Sequence, residues 1–226
     1  VREEVVIDLT DGGKVSGLID EPYGLECAYV FGHGAGAGMR HSFMEQMAEC
    51  LAERGIAVLR YQFPAMERGL GRPDSPAVAH ATVRAAACMG LNRWPGVPLF
   101  AGGKSFGGRM TSQAQALVAL EHVMGLVFIG FPLHPAGSPS IKRADHLGGL
   151  AVPLLFLQGS RDALAQLELI TSVVEALPTA KMAVIEDADH AFHVRRQSGS
   201  NDEAVRNRLA DIMSEWMKKI GRNSLS

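Results

Sequence analysis

Six short runs of almost uninterrupted apolar residues recur along the chain, and the stretches between them carry apolar residues at helical spacing. The runs are Cys27–Phe31, Ile56–Tyr61, Val97–Ala101, Met124–Ile129, Pro153–Leu157 and Lys181–Ile185. A strand that is apolar along its whole length has to be covered on both faces, which is the condition of a parallel sheet with helices above and below it. Ahead of these runs, Val5–Leu9 and Val15–Asp20 alternate weakly around Asp11-Gly12-Gly13, a hairpin signal. The pattern predicts an α/β fold of about eight strands, mostly parallel, entered through an antiparallel hairpin.

The helices have boundary signals of their own. Ser42-Phe43-Met44-Glu45 has capping-box spacing, and Phe43, Met44, Met47, Ala48 and Leu51 follow at helical period up to Gly55. A Gly- and Pro-rich loop over Gln62–Asp74 leads to Ser75-Pro76, an N-cap and first-turn pair for a helix reaching about Asn92. Further helices are expected from the Ser105 turn to about Glu121 and from about Ala163 to Ala176. Val205, Leu209, Ile212, Met213, Trp216, Met217 and Ile220 mark one face of a last helix, closed by Gly221. Phe131–Ala151 is the longest poorly patterned stretch, with a short helix at Ile141–Leu147, and it leaves no room for a large lid. No repeat or linker breaks the pattern, so residues 1–226 read as a single domain.

Composition narrows the partners. A net charge of −2 gives no electrostatic reason to expect nucleic acid or an anionic membrane. No apolar stretch approaches the roughly 20 residues of a membrane span, and the opening Val-Arg-Glu-Glu has no signal-peptide core, so a cytoplasmic location is expected. Cys27, Cys50 and Cys88 lack metal-ligand spacing and read as core thiols in a reducing compartment. No cofactor is called for, and nothing in the sequence sets the oligomeric state.

In an open parallel sheet, ligands bind beyond the carboxyl ends of the strands. Those ends read His33-Gly34-Ala35-Gly36, Gln62-Phe63-Pro64, Lys104-Ser105-Phe106, Phe131-Pro132-Leu133-His134, Gly159-Ser160-Arg161-Asp162 and Asp187-Ala188-Asp189-His190. Gly103-Lys104-Ser105-Phe106-Gly107, lying between a strand and a helix, fits a sharp turn that pushes a serine hydroxyl out of the sheet. A hydroxyl, a carboxylate and an imidazole thus occur in chain order at three strand ends. Serine needs a neighbouring base to act as a nucleophile. His190 would take the Ser105 proton, Asp162 would fix the imidazole tautomer, and the N–H groups of Phe106 and Ala35 would hold an oxyanion.

Taken together, the His-Gly-Ala-Gly loop, the Phe-Pro-x-Met and Gly-x-Arg-Pro loop over Phe63–Pro73, the Gly-Gly-Lys-Ser-Phe-Gly-Gly-Arg turn, Gly-Ser-Arg-Asp and Asp-Ala-Asp-His-Ala-Phe resemble a small member of the α/β-hydrolase superfamily. The likeness covers nearly the whole chain and is nearest to the dienelactone-hydrolase-related group. The resemblance implies Ser105 as nucleophile, Asp162 as acid and His190 as base. Dienelactone hydrolases themselves use a cysteine nucleophile; a serine here implies a general ester hydrolase with a small-molecule acyl substrate. Met39, Phe63, Phe131 and His134 are expected to bind it, with Phe43, Met66, Phe106 and Phe192 as further apolar wall.

Four other readings compete. Lys104-Ser105 suggests a phosphate loop, but Pro98 stands where that motif requires glycine. Gly32–Ala37 loosely matches a dinucleotide fingerprint, with Arg60 as a partner for the 2′-phosphate of NADP, although no acid ends the next strand. A catalytically silent binding or scaffold protein on the same fold is the other alternative. His190 and His193 could suggest a metal pair, yet no further ligand lies near them in sequence.

Overall fold

A computed structural model of the chain describes residues 2–223. Its centre is one sheet of eight strands among the described residues: β1 (Arg2–Asp8), β2 (Lys14–Asp20), β3 (Cys27–Gly32), β4 (Ile56–Tyr61), β5 (Leu99–Lys104), β6 (Val123–Ile129), β7 (Leu154–Gly159) and β8 (Ala180–Ile185). In space they run β1-β2-β4-β3-β5-β6-β7-β8. The hairpin β1–β2 and the β2–β4 pair are antiparallel, and every later pair is parallel. All six expected apolar runs are strands of this sheet.

Two apolar layers explain why the strands lack alternation. On one face, α1 (Ser42–Ala52) and α6 (Asp202–Asn223) cover the sheet through Met44, Met47, Ala48 and Leu51 and through Val205, Leu209, Met213 and Met217. On the other, α3 (Pro76–Arg93), α4 (Phe106–Leu117) and α5 (Leu167–Glu175) pack over Ala28, Val30, Ala101 and Phe128. Each large apolar side chain taken out of water contributes about 1.5–3 kcal/mol, so the two layers carry most of the driving force. No helix among the described residues is long and apolar enough to cross a membrane.

Helix boundaries depart from the sequence reading in instructive ways. The cap of α1 is His41, whose Nδ1 accepts the Phe43 N–H at 3.2 Å, and Ser42 is already helical. A four-residue helix, α2 (Pro64–Glu67), occupies the loop after β4; its Ala65 N–H donates to Asp74. Helix α4 stops at Leu117 rather than Glu121, because Gln115 Oε1 takes the Leu120 N–H and Arg84 caps the carbonyls of Ala114 and Val118. Gly221 lies inside α6, not beyond it: a Cβ there would come within 2.9 Å of Pro98, so its role is close packing. The stretch before β7 forms a 3₁₀ segment at Lys142–Gly149, and among the described residues no inserted layer covers the strand ends. Of the cysteines only Cys27 is buried; Cys50 is half-buried and Cys88 exposed, which corrects the reading of all three as core thiols.

Candidate active site

Strand β5 ends at Lys104 and α4 begins at Phe106, leaving Ser105 alone to make the turn, at φ 50° and ψ −112°. Such a sparsely populated backbone state costs on the order of 1–3 kcal/mol and persists only where its surroundings impose it. Here they do. A Cβ on Gly107 would lie 2.3 Å from the Gly32 carbonyl oxygen, and one on Gly103 would lie 2.5 Å from the same atom. The first turn of α4 therefore presses on the end of β3, and the glycines flanking Ser105 are what permit the approach.

Ser105 Oγ lies 2.9 Å from His190 Nε2, and His190 Nδ1 lies 2.7 Å from Asp162 Oδ2. A carboxylate only accepts, so Nδ1 carries the proton and Nε2 is free to accept from the serine hydroxyl. The Asp162 side chain is fully buried, whereas the imidazole keeps 25% of its surface exposed. The buried carboxylate is satisfied on both oxygens: Oδ2 also accepts from Gln158 Nε2 at 2.6 Å, and Oδ1 accepts the Leu164 N–H at 2.8 Å. The turn that makes these bonds delays α5, which begins at Leu167 rather than near Ala163. Asp189, one residue before the imidazole, is used within its own loop, accepting the N–H groups of Ala191 and His193.

The loop after β3 is tied into the core. His33 is buried; its Nδ1–H donates to the Gly34 carbonyl at 2.7 Å, and its Nε2 accepts the Phe63 N–H at 3.1 Å. Burial holds its pKa below the usual imidazole value, in keeping with a neutral ring. At the other end of the loop, Gln62 Oε1 accepts the Met39 N–H, and the fully buried Arg60 donates to the Met39 carbonyl while paired with Asp20. A Cβ on Gly34 would lie 3.8 Å from the Ser105 Cβ, so this loop flanks the serine. Arg60 is thereby committed to Asp20 and Met39, out of reach of a nucleotide phosphate.

Beside Ser105 and His190 opens a cavity of about 590 Å³, walled by Ala35, Phe43, Met44, Lys104, Leu164 and Phe192, with His41, Gln46 and Arg206 toward its outer side. The four residues expected to bind substrate do not line it. Met39, Phe63 and Phe131 are 3%, 1% and 0% exposed and belong to the core. The Phe63 ring stands edge-on to His33, Tyr61 and Phe106, and Phe131 packs on Phe128 and Phe156. His134 has both ring nitrogens occupied, donating to the Pro135 carbonyl and accepting the Gln166 N–H. It clamps the segment after Asp162 much as His33 clamps the loop after β3. Phe43 and Phe192 do reach the cavity; Met66 and Phe106 do not line it. His193 lines the cavity and bonds to Asp202, and no cluster of three metal-ligating side chains occurs among the described residues.

Two polar residues support the site without belonging to the expected triad. Gln158, fully buried, holds Asp162 from the strand below, and Lys104 reaches the His190 carbonyl. Each had a visible signal: an amide or ammonium at the end of an otherwise apolar strand.

Among solved structures, the chain superposes on the esterase domain of a Rhodothermus marinus protein with a TM-score of 0.74 at 17% identity, over 98% of this chain and 100% of that one. An α/β serine hydrolase homologue from Coxiella burnetii gives 0.74 at 20% identity, over 94% and 96%. The dienelactone hydrolase of Anabaena variabilis gives 0.73 at 21% identity, over 96% of each chain. At these identities the likeness is one of fold. Residues 26–218 match the alpha/beta hydrolase domain family. By that match over most of its length, with the sheet order and strand-to-helix turn described above, the chain belongs to the α/β-hydrolase family.

Proposed function

We propose that the chain is a serine hydrolase that cleaves carboxylic esters of small molecules through an acyl-enzyme on Ser105. The observation that carries this reading is the unbroken line from Ser105 Oγ to His190 Nε2 and from His190 Nδ1 to Asp162, at 2.9 and 2.7 Å. In the first half-reaction the serine oxygen bonds to the ester carbonyl carbon while its proton passes to Nε2. The tetrahedral intermediate then expels the alcohol, which leaves with that proton. Water repeats the sequence on the acyl-serine and releases the acid. Asp162 stabilises the imidazolium formed in each half, and its own three hydrogen bonds keep it in place for that task.

The developing oxyanion needs preorganised donors. Phe106 is the first residue of α4, so its N–H has no intrahelical partner and points from the positive end of the helix dipole. Ala35, exposed on the cavity wall, supplies the second N–H. The same steps accept a thioester, whose thiol leaves in place of the alcohol. A cavity of about 590 Å³ suits an acyl group of modest size. The esterase and serine hydrolase names among the structural relatives favour this chemistry over a silent scaffold. The test is turnover of p-nitrophenyl acetate and butyrate by the wild type and Ser105→Ala. The expected result is saturable hydrolysis abolished by the substitution; an inactive wild type, or an equally active variant, contradicts the proposal.

A further inference from the structure

We propose that Lys104 is a positioning residue for the general base, its ammonium tying the His190 loop to the strand that carries the nucleophile. This inference rests on the serine-hydrolase reading above. Lys104 Nζ donates to the His190 backbone carbonyl. The same ammonium stands 5.3 Å from the ring centre of Phe192 and 5.9 Å from that of Phe43, within cation–π range of both. Those rings stack on each other at 6.1 Å. Room for the ammonium comes from Gly130 at the end of β6, where φ is +65° and a Cβ would sit 3.2 Å from Nζ and 3.5 Å from His190 Cε1.

The contacts close a circuit. Lys104 is bonded through the backbone to Ser105, and its side chain returns to His190, whose ring meets the Ser105 hydroxyl. Nucleophile and base are thus tied together twice, once through the reacting atoms and once around them. The second tie acts on a strained segment whose ends Ser160, Arg161 and Asp202 also hold. Asp187 and Phe192, on either side of His190, have φ of 59° and 67°, positions that bulky L-residues avoid. The Phe192 ring faces the lysine, so the ammonium attracts the very residue whose backbone is strained.

A purely structural role accounts poorly for the charge. Among the described residues no carboxylate lies within salt-bridge distance of Lys104, and a half-buried ammonium without a close counter-ion opposes folding. The charged groups that bear on it are Asp162 after β7 and Asp189 after β8, with His190 beside it; from α1 and β6 it meets a phenyl ring and Gly130. Desolvation outweighs both carboxylates and brings its pKa down to about 8. Below that value the full charge holds the carbonyl and both rings. Above it the cation–π attraction is lost and the hydrogen bond weakens.

The stability linkage has the opposite sign. An unfolded lysine titrates near 10.4, so between about 8 and 10.4 the unfolded state binds more protons and the folded state gains stability as pH rises. Positioning and stability therefore move in opposite directions across this window.

The experiment measures the rate at which a fluorophosphonate labels Ser105 from pH 6 to 10.5, with urea unfolding in parallel, for wild type, Lys104→Met and Lys104→Gln. Loss of positioning is expected to slow labelling and kcat by about 10–100-fold, with KM changed by less than about threefold. The wild-type rate should fall above about pH 8, and both neutral variants should lack that limb. Both should be at least as stable as wild type at pH 7, and the wild type should gain on them as pH rises toward 10. Labelling of Lys104→Met at the wild-type rate, an alkaline limb retained in either variant, or a slower rate matched by lost stability overturns the role of Lys104. If the wild type itself is not labelled at Ser105, the hydrolase reading falls with it. Should Lys104→Met not fold, Lys104→Gln decides on the same criteria.

Discussion

The two loops that face each other across Ser105 are held in contrasting ways. The loop from His33 to Met39 is fastened from outside itself, by the Phe63 N–H, Gln62 and the buried Arg60–Asp20 pair, all contributed by other strands and their ends. The loop from Glu186 to Val194 adds bonds of its own, with Asp189 accepting the N–H groups of Ala191 and His193 and a bridge between Ala188 and Val194, to ties at its two ends, where Ser160 and Arg161 hold Asp187 and Ala188 and Asp202 holds His193 and Val194. It also contains the two left-handed residues, Asp187 and Phe192. A rigid side suits groups that must be preorganised around a developing charge. A base that accepts a proton and returns it must keep its ring aligned in both states, which the ties to Asp162, Ser105 and Lys104 serve.

Substitutions can break this contrast. The largest effect is expected on the base side. In Asp162→Asn the side chain can donate to Nδ1, which favours the wrong imidazole tautomer, and a fall in kcat of about 10³–10⁴-fold is expected with little change in KM. Steady-state kinetics on an activated ester check this, and a variant retaining a tenth of the wild-type kcat contradicts it. On the fastened side, Arg60→Leu leaves Asp20 buried with Arg2 as its other cationic partner and frees the Met39 carbonyl. Because breaking a buried pair typically costs about 3–5 kcal/mol, urea denaturation should show a loss near the lower end of that range.

Smaller effects sharpen the comparison. Gln158→Leu removes one of the three bonds to Asp162 and should lower kcat about tenfold, the value of one hydrogen bond to a charged group. His33 gives a pH test of the fastened loop. Its folded pKa lies below the unfolded value, so its contribution is intact above about 6.5 and is lost as pH falls through the folded value. His146, also held down by burial, adds a slope of the same sign. The difference between wild type and His33→Asn isolates the loop: stability should fall more steeply below pH 6.5 in the wild type. The smallest change is Asp187→Gly, which relieves a left-handed position and should alter stability by less than about 1 kcal/mol, leaving the fastened loop untouched.

How much of this was legible in the chain follows from what a strand pattern can encode. Apolar runs mark where strands lie, and the residues after them fall at the ends of a parallel sheet, so the sequence pattern alone brings Ser105, Asp162 and His190 to one edge of the sheet. The direction of a side chain at such an end is a different matter. Phe63 and His134 both follow strands, yet Phe63 turns inward to meet His33 and Tyr61, and His134 spends both nitrogens on backbone groups. Those partners come from distant segments, so local sequence carries no trace of them. Ser42 and Gly221 show the same limit at helix ends: His41 takes the cap, and Pro98 explains the glycine. Gln158 and Lys104 were legible only as polar residues out of place, a signal that marks a position without saying what it touches.

The central claim is that Ser105 is acylated by substrate, and trapping that species tests it most directly. The protein is mixed with an excess of a short activated ester, quenched in acid within the first turnover, and its intact mass and peptide masses are measured. The account predicts one acyl group per chain on the peptide containing Ser105, none in Ser105→Ala, and a slower build-up in Asp162→Asn. An active wild type that releases product with no adduct on Ser105, or that carries the acyl group on another residue, would contradict it.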